Sequence, residues 1–188
     1  LTFEFEQRPT IKGFPELRWT GKRPYRSTQY YPAQLRESYG EEQSGWINKI
    51  FWGDNLQVMS HLLKEYRGQI DCIYIDPPFD SKADYRTKIH LPGTDIEQRP
   101  TTIEQFAYSD TWEKIGPDGR KISGTVCYLE YMVPRLILMR ELLSEQGSIY
   151  VHIDWHVGHY VKIILDEIFG KENFRREITW NTMLKTIG

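Results

Sequence analysis

The chain has 188 residues and a formal charge of −2, enough length for one α/β domain and too little positive charge to coat a nucleic acid uniformly. Any contact with DNA must therefore come from local patches. Cys72 and Cys127 lack metal-ligand spacing, and the sequence has neither an apolar run of bilayer length nor a signal peptide, which predicts reduced thiols in a cytoplasmic protein and excludes a membrane role.

Residues 1–45 are polar, with prolines at positions 9, 15, 24 and 32 and no sustained period, which predicts an extended N-terminal arm. Arg18, Trp19, Lys22, Arg23, Tyr25, Arg26, Tyr30 and Tyr31 interleave basic and aromatic side chains. That pattern suits phosphates and bases, although such arms more often lie over their own domain. Regular patterning begins with Trp46-Ile-Asn-Lys-Ile-Phe-Trp52, an alternating strand candidate. After Gly53, Asp54 or Asn55 can cap a helix over about 55–66, with Leu56, Met59, Leu62 and Leu63 on one face and Gly68 closing it.

The stretch Ile70-Asp-Cys-Ile-Tyr-Ile75 is apolar apart from Asp71, which predicts a strand covered on both faces. It ends at Asp76-Pro77-Pro78-Phe79. Each proline fixes its own φ and pushes the residue before it toward extended geometry, so the Asp76 backbone is stiff. A carboxylate, outward carbonyls and an aromatic ring are thereby held at a strand's C-terminal end, where open α/β sheets bind ligands. Strand, helix and strand make a βα unit of a parallel sheet.

From 80 to 124 the sequence is polar and aperiodic, with Lys82, Arg86, Lys88, Arg99, the aromatic run Phe106 to Trp112, and a turn signal at Gly116-Pro-Asp-Gly119. A loop of this length leaving a reactive corner is expected to close over substrate. A helix over 126–146 follows, with a wide apolar face and a stop at Gly147; Pro134 is expected to kink its first turns or mark its true start. Ser148 to Asp154 reads as a buried strand, Asp154 as the cap of a helix ending at Gly170, and 176–180 as a last strand. His152, His156 and His159 do not complete a ligand set, so no metal is expected. No phosphate loop, nucleophile elbow or zinc-deaminase signature occurs.

Taken in order, Gly-Asp-Asn-Leu at 53–56, Asp-Pro-Pro-Phe at 76–79, Asp-Thr-Trp at 110–112, Gly147 to Asp154 and the Phe169-Gly170 helix end form a set. It resembles the catalytic half of bacterial DNA adenine-N6 methyltransferases, of the DNA N-4/N-6 amino class, in the permuted group similar to Type III modification methyltransferases. The resemblance implies a Rossmann-like, mostly parallel and incomplete α/β sheet over 46–188, with 1–45 as an arm and 80–124 as an active-site loop. It implies S-adenosylmethionine as cofactor, DNA as substrate, and a restriction subunit or second methyltransferase protomer as possible partner. It assigns Asp76, Pro77, Pro78 and Phe79 to catalysis and Asp54, Asn55 and Leu56 to the cofactor.

The implied chemistry is physically reasonable. The lone pair of an exocyclic amine is delocalised into the base. Two acceptors, the Asp76 carboxylate and the Pro77 carbonyl, would hold its two hydrogens and favour a pyramidal nitrogen. Phe79 would stack on the extruded base, worth about 1–3 kcal/mol, against the few kcal/mol that flipping costs. Two departures stand out. Phe79 replaces the family's commoner tyrosine, and no Phe-x-Gly-x-Gly loop is present, so this chain alone is expected to be a fragment with part of the cofactor pocket missing, and inactive. Alternatives are a non-catalytic DNA-binding relic, or an enzyme acting on cytosine N4, RNA or a protein glutamine. Cytosine and glutamine enzymes usually carry Ser or Asn in place of Asp76, which favours adenine.

Overall fold

The structure, a computed structural model, describes residues 1–7, 9, 12–78, 112, 114–115, 119, 121–122 and 124–180. Its order is β1 (Thr2–Glu4), β2 (Ser27–Gln29), α1 (Asn55–Tyr66), β3 (Ile70–Ile75), β4 (Lys114–Ile115), β5 (Lys121–Ile122), α2 (Gly124–Leu142), β6 (Leu143–Val151) and α3 (Trp155–Phe169), closed by a 3-10 turn at Lys171–Asn173. The fold is α/β with one small parallel sheet: β3 pairs with β6, Ile73 opposite Ile149 and Ile75 opposite Val151. The pairs β1–β2 and β4–β5 are antiparallel.

Helix α2 is the hub because it is apolar nearly all round, as a helix packed on several sides must be. Tyr128, Leu136 and Leu138 are fully inaccessible, and Met132 almost so. Met59 and Leu63 of α1 and Val157, Val161, Ile164 and Ile168 of α3 join them in one core, with Ile73, Ile75, Ile149, Val151 and Ile153 packed against it. Both flanking helices start where the sequence supplies a cap. Asp54 Oδ1 accepts from the amides of Leu56 and Gln57 at 2.9 and 3.3 Å, and Asp154 Oδ1 accepts from that of His156 at 2.9 Å.

The arm lies along this core. Phe5 is buried, while Phe3, Leu17, Trp19 and Tyr25 pack at its margin. Glu167 of α3 accepts from the Leu17 amide and from Lys22 Nζ, both at 2.6 Å. Trp19, Lys22 and Tyr25 of the basic-aromatic run therefore serve the chain's own packing. The short β1–β2 pairing was not foreseen, since neither three-residue strand carries enough alternation to register.

Four expectations are corrected. Residues 46–52 form no strand: their ladder contact is an isolated bridge between Gln43 and Trp46, and Ile50 and Trp52 are 98% and 94% exposed. Residues 176–180 likewise form none, with Ile178 and Trp180 exposed. Alternation states which side chains would be buried, and no pairing strand stands beside either segment among the described residues. Nor is β3 covered on both faces: Cys72 and Tyr74 are exposed, as are Ser148, Tyr150 and His152 on the β6 side. The described helices cover the opposite face only. Finally, α2 begins at Gly124, ten residues before Pro134, and ends at Leu142, so Pro134 is not its start and β6 takes over where helix was expected. Most of the expected 80–124 loop, including Asp110 and Thr111, lies outside the described residues, although β4 and β5 pair Lys114 with Ile122 and Ile115 with Lys121 on either side of the expected turn. No helix among the described residues is long and apolar enough to cross a membrane.

Candidate active site

The parallel ladder continues one residue beyond β6, where the His152 amide donates to the Ile75 carbonyl at 2.9 Å. That bond sets Asp76 beside His152 at the C-terminal end of the sheet, with Nδ1 of the imidazole 3.9 Å from Asp76 Oδ1. The Tyr74 hydroxyl lies 2.9 Å from the same Nδ1. Tyr74 and Asp76 share the open sheet face because side chains two apart on a strand point the same way. The Asp76 side chain is 60% exposed, so it is turned outward, as a carboxylate that meets a ligand must be. Pro77 and Pro78 are half-buried and anchor the corner. Phe79 lies outside the described residues.

Asp54 occupies a different place. Its Oδ1 serves the two cap amides, and its Oδ2 accepts from Arg135 of α2 at 3.0 Å. Arg135 Nε also donates to Asn55 Oδ1 at 2.6 Å. Three of roughly four acceptor positions on the Asp54 carboxylate are filled, and the side chain is still 50% exposed. It can take one more donor, not a bidentate pair. Asp54 borders a cavity of about 480 Å³ walled by Tyr25, Tyr31, Leu56, Gln57 and Arg135. Ser27, Thr28 and Gln29 of β2 complete the wall, and the size, the mixed polar and aromatic lining and the remaining acceptor suit a nucleoside, the adenosine end of S-adenosylmethionine included. Asp76 is not part of this wall. The two predicted sites thus stand in separate hydrogen-bond settings among the described residues.

Sequence reasoning missed two groups. His152 enters the sequence analysis only as part of an incomplete ligand set; Tyr74/Asp76 and Tyr150/His152 occupy matching places at the ends of two strands, and that is the available signal. Arg135 offered none, being one of two arginines in a largely apolar helix and 81 residues from its carboxylate partner. Of the other histidines, His156 Nδ1 lies 2.6 Å from Asp154 Oδ2 and its ring stacks on Trp155.

An α/β chain with an exposed carboxylate on a double-proline corner, at the C-terminal end of a parallel strand, presents that group where open α/β sheets bind ligands. The family model for N6/N4 DNA methylases matches residues 70–187. The chain belongs to this DNA methylase family. It is 28% identical over 173 residues to the Mod subunit of the Type III restriction-modification enzyme EcoP15I of Escherichia coli, covering 87% of this chain and 26% of that protein. It is 33% identical over 134 residues to the StyLTI Mod subunit of Salmonella typhimurium, covering 71% of this chain and 20% of that one. With the Type II methyltransferase M.EcaI of Enterobacter cloacae it shares 33% identity over 132 residues, 70% of this chain and 24% of the relative. The chain therefore spans about a quarter of the length of the curated relatives it matches.

Proposed function

We propose that the whole protein is a site-specific DNA methyltransferase that methylates N6 of an adenine flipped out of the duplex, with S-adenosylmethionine as donor. The observation that carries this reading is the outward Asp76 carboxylate on its proline-fixed corner, in a chain of the N6/N4 family. Asp76 and the Pro77 carbonyl accept the two amine hydrogens and turn the nitrogen lone pair outward; because both acceptors are fixed before substrate arrives, little reorganisation is needed in the transition state. Pro78 stiffens the corner, and Phe79 stacks on the extruded base. When bound, the cofactor supplies an electrophilic methyl group. Asp54 takes one hydrogen bond from its adenosine part. Asn55, whose Oδ1 is committed to Arg135, presents its amide N–H groups, and Leu56 gives an apolar wall.

In this reading 1–45 is the arm and 46–188 the catalytic unit, part of a Rossmann-like sheet, with 80–124 closing over substrate. The Mod-subunit relatives support a restriction subunit or a second methyltransferase protomer as partner, in a bacterial cytoplasm. The test is to incubate the whole protein with DNA and radiolabelled S-adenosylmethionine, digest the DNA and separate the nucleosides. Label is expected in N6-methyldeoxyadenosine. Label in N4-methyldeoxycytidine, or incorporation into RNA alone, would overturn the assignment.

A further inference from the structure

We propose that Arg135 is a positioning residue for cofactor binding: from the middle of α2 it fixes the Asp54 side chain in the wall of the cavity and the neighbouring Asn55 side chain beside it. The proposal rests on the reading of Asp54 as the adenosine acceptor. Arg135 is only 7% exposed, whereas the carboxylate it holds is half in solvent. Removing a guanidinium from water costs several kcal/mol, and an apolar residue of like volume would fill the same place in α2 without that cost.

Its donors are divided among three acceptors. Nε goes to Asn55 Oδ1 at 2.6 Å, one terminal nitrogen to Asp54 Oδ2 at 3.0 Å, and the other to the Tyr131 carbonyl at 2.9 Å. Its Cζ lies over the Tyr131 ring, 3.4 Å from the centroid. A planar fork stacked on a ring and tied to its own helix has little freedom left, so the two side chains it holds are fixed as well. The cap bonds to Asp54 Oδ1 do not do this alone, since they leave Oδ2 and Asn55 unconstrained. Trp112 packs on the same Tyr131 ring at a centroid distance of 4.8 Å, so the ring beside the guanidinium is itself held in place.

The experiment measures S-adenosylmethionine affinity of the whole protein by calorimetry, alongside steady-state kinetics. Lysine keeps the charge but cannot stack, bridge two neighbours and bond its own helix together. Arg135→Lys is therefore expected to weaken affinity about tenfold, the loss of about one charge-assisted bond's worth of alignment, with KM for the cofactor rising more than kcat falls. Tyr131→Leu, which removes the ring and leaves every ligand-side group in place, is expected to weaken it about threefold. A purely structural role would lower the melting temperature and leave the affinity of the folded protein unchanged. Wild-type affinity in both variants, with weakened binding by Asp54→Asn, would overturn the Arg135 proposal while sparing the Asp54 reading. Wild-type affinity in Asp54→Asn would overturn that reading and this proposal with it.

Discussion

Asp76→Ala in the whole protein is expected to reduce the rate of methyl transfer about 10²–10³-fold, the usual consequence of removing one fixed electrostatic group aimed at a transition state. The loss should fall on kcat, because in the proposed function the carboxylate acts on the amine as it becomes pyramidal and not on the parts of the duplex that hold it. Asp76→Asn should fall between the two, since the amide keeps one acceptor oxygen but turns a donor toward a group that is itself a donor. Stability should move by no more than about 0.5 kcal/mol, as for other surface changes: the side chain is 60% exposed and its contact with His152 is 3.9 Å long. Cofactor affinity should hold within about twofold, or roughly 0.4 kcal/mol, because Asp76 does not border the cavity at Asp54. A rate unchanged by Asp76→Ala would remove the corner from catalysis. A loss of rate that tracked loss of folded protein would make Asp76 a structural residue instead.

What could be read from the sequence was local. The starts of α1 and α3 followed from Asp54 and Asp154, each a capping side chain directly before an apolar-periodic run. The corner followed from two adjacent prolines, whose effect needs no knowledge of the rest of the fold. The faces of β3 did not follow, because Ile73 and Ile75 are packed while Cys72 and Tyr74 are exposed, although all four are apolar or aromatic. A near-continuous run is compatible with one covered face or two, and only the neighbours decide. The same holds for Ile50 and Trp52, apolar residues of the expected strand whose side chains stand in solvent. At the site, Asp54 was visible as a cap and as a candidate ligand group. Its restriction to one free acceptor position came from Arg135, a partner that no spacing rule would select.

Gly147→Ala is expected to destabilise the 188-residue chain by about 1–3 kcal/mol, the range for overpacking a filled site. A Cβ there would stand 2.7 Å from Leu143 Cδ2, 2.8 Å from the Ile70 carbonyl oxygen and 3.1 Å from that of Ser144. Leu143 can swing aside. The Ile70 oxygen cannot move without its strand, and that strand is held on both sides of the contact: Gly68 and Gln69 donate to Glu141 and Leu142 at 2.9 and 3.1 Å, and the ladder from Cys72 to Ile75 follows. Relief must therefore come from a shift of β3 against β6, the same register that sets Asp76 beside His152. Gly158→Ala gives the opposite sign and so isolates the cause. Gly158 lies within α3, where an added Cβ would meet Ile153 Cγ2 at an ordinary 3.6 Å, and replacing a helical glycine by alanine stabilises by about 0.4–1 kcal/mol. Urea unfolding of the two variants should move the midpoint in opposite directions with the slope unchanged. If Gly147→Ala unfolded like the parent chain, the close approach of β6 to β3 at Gly147 would not exist, and the register it imposes on the Asp76 end of the sheet would have to be set elsewhere.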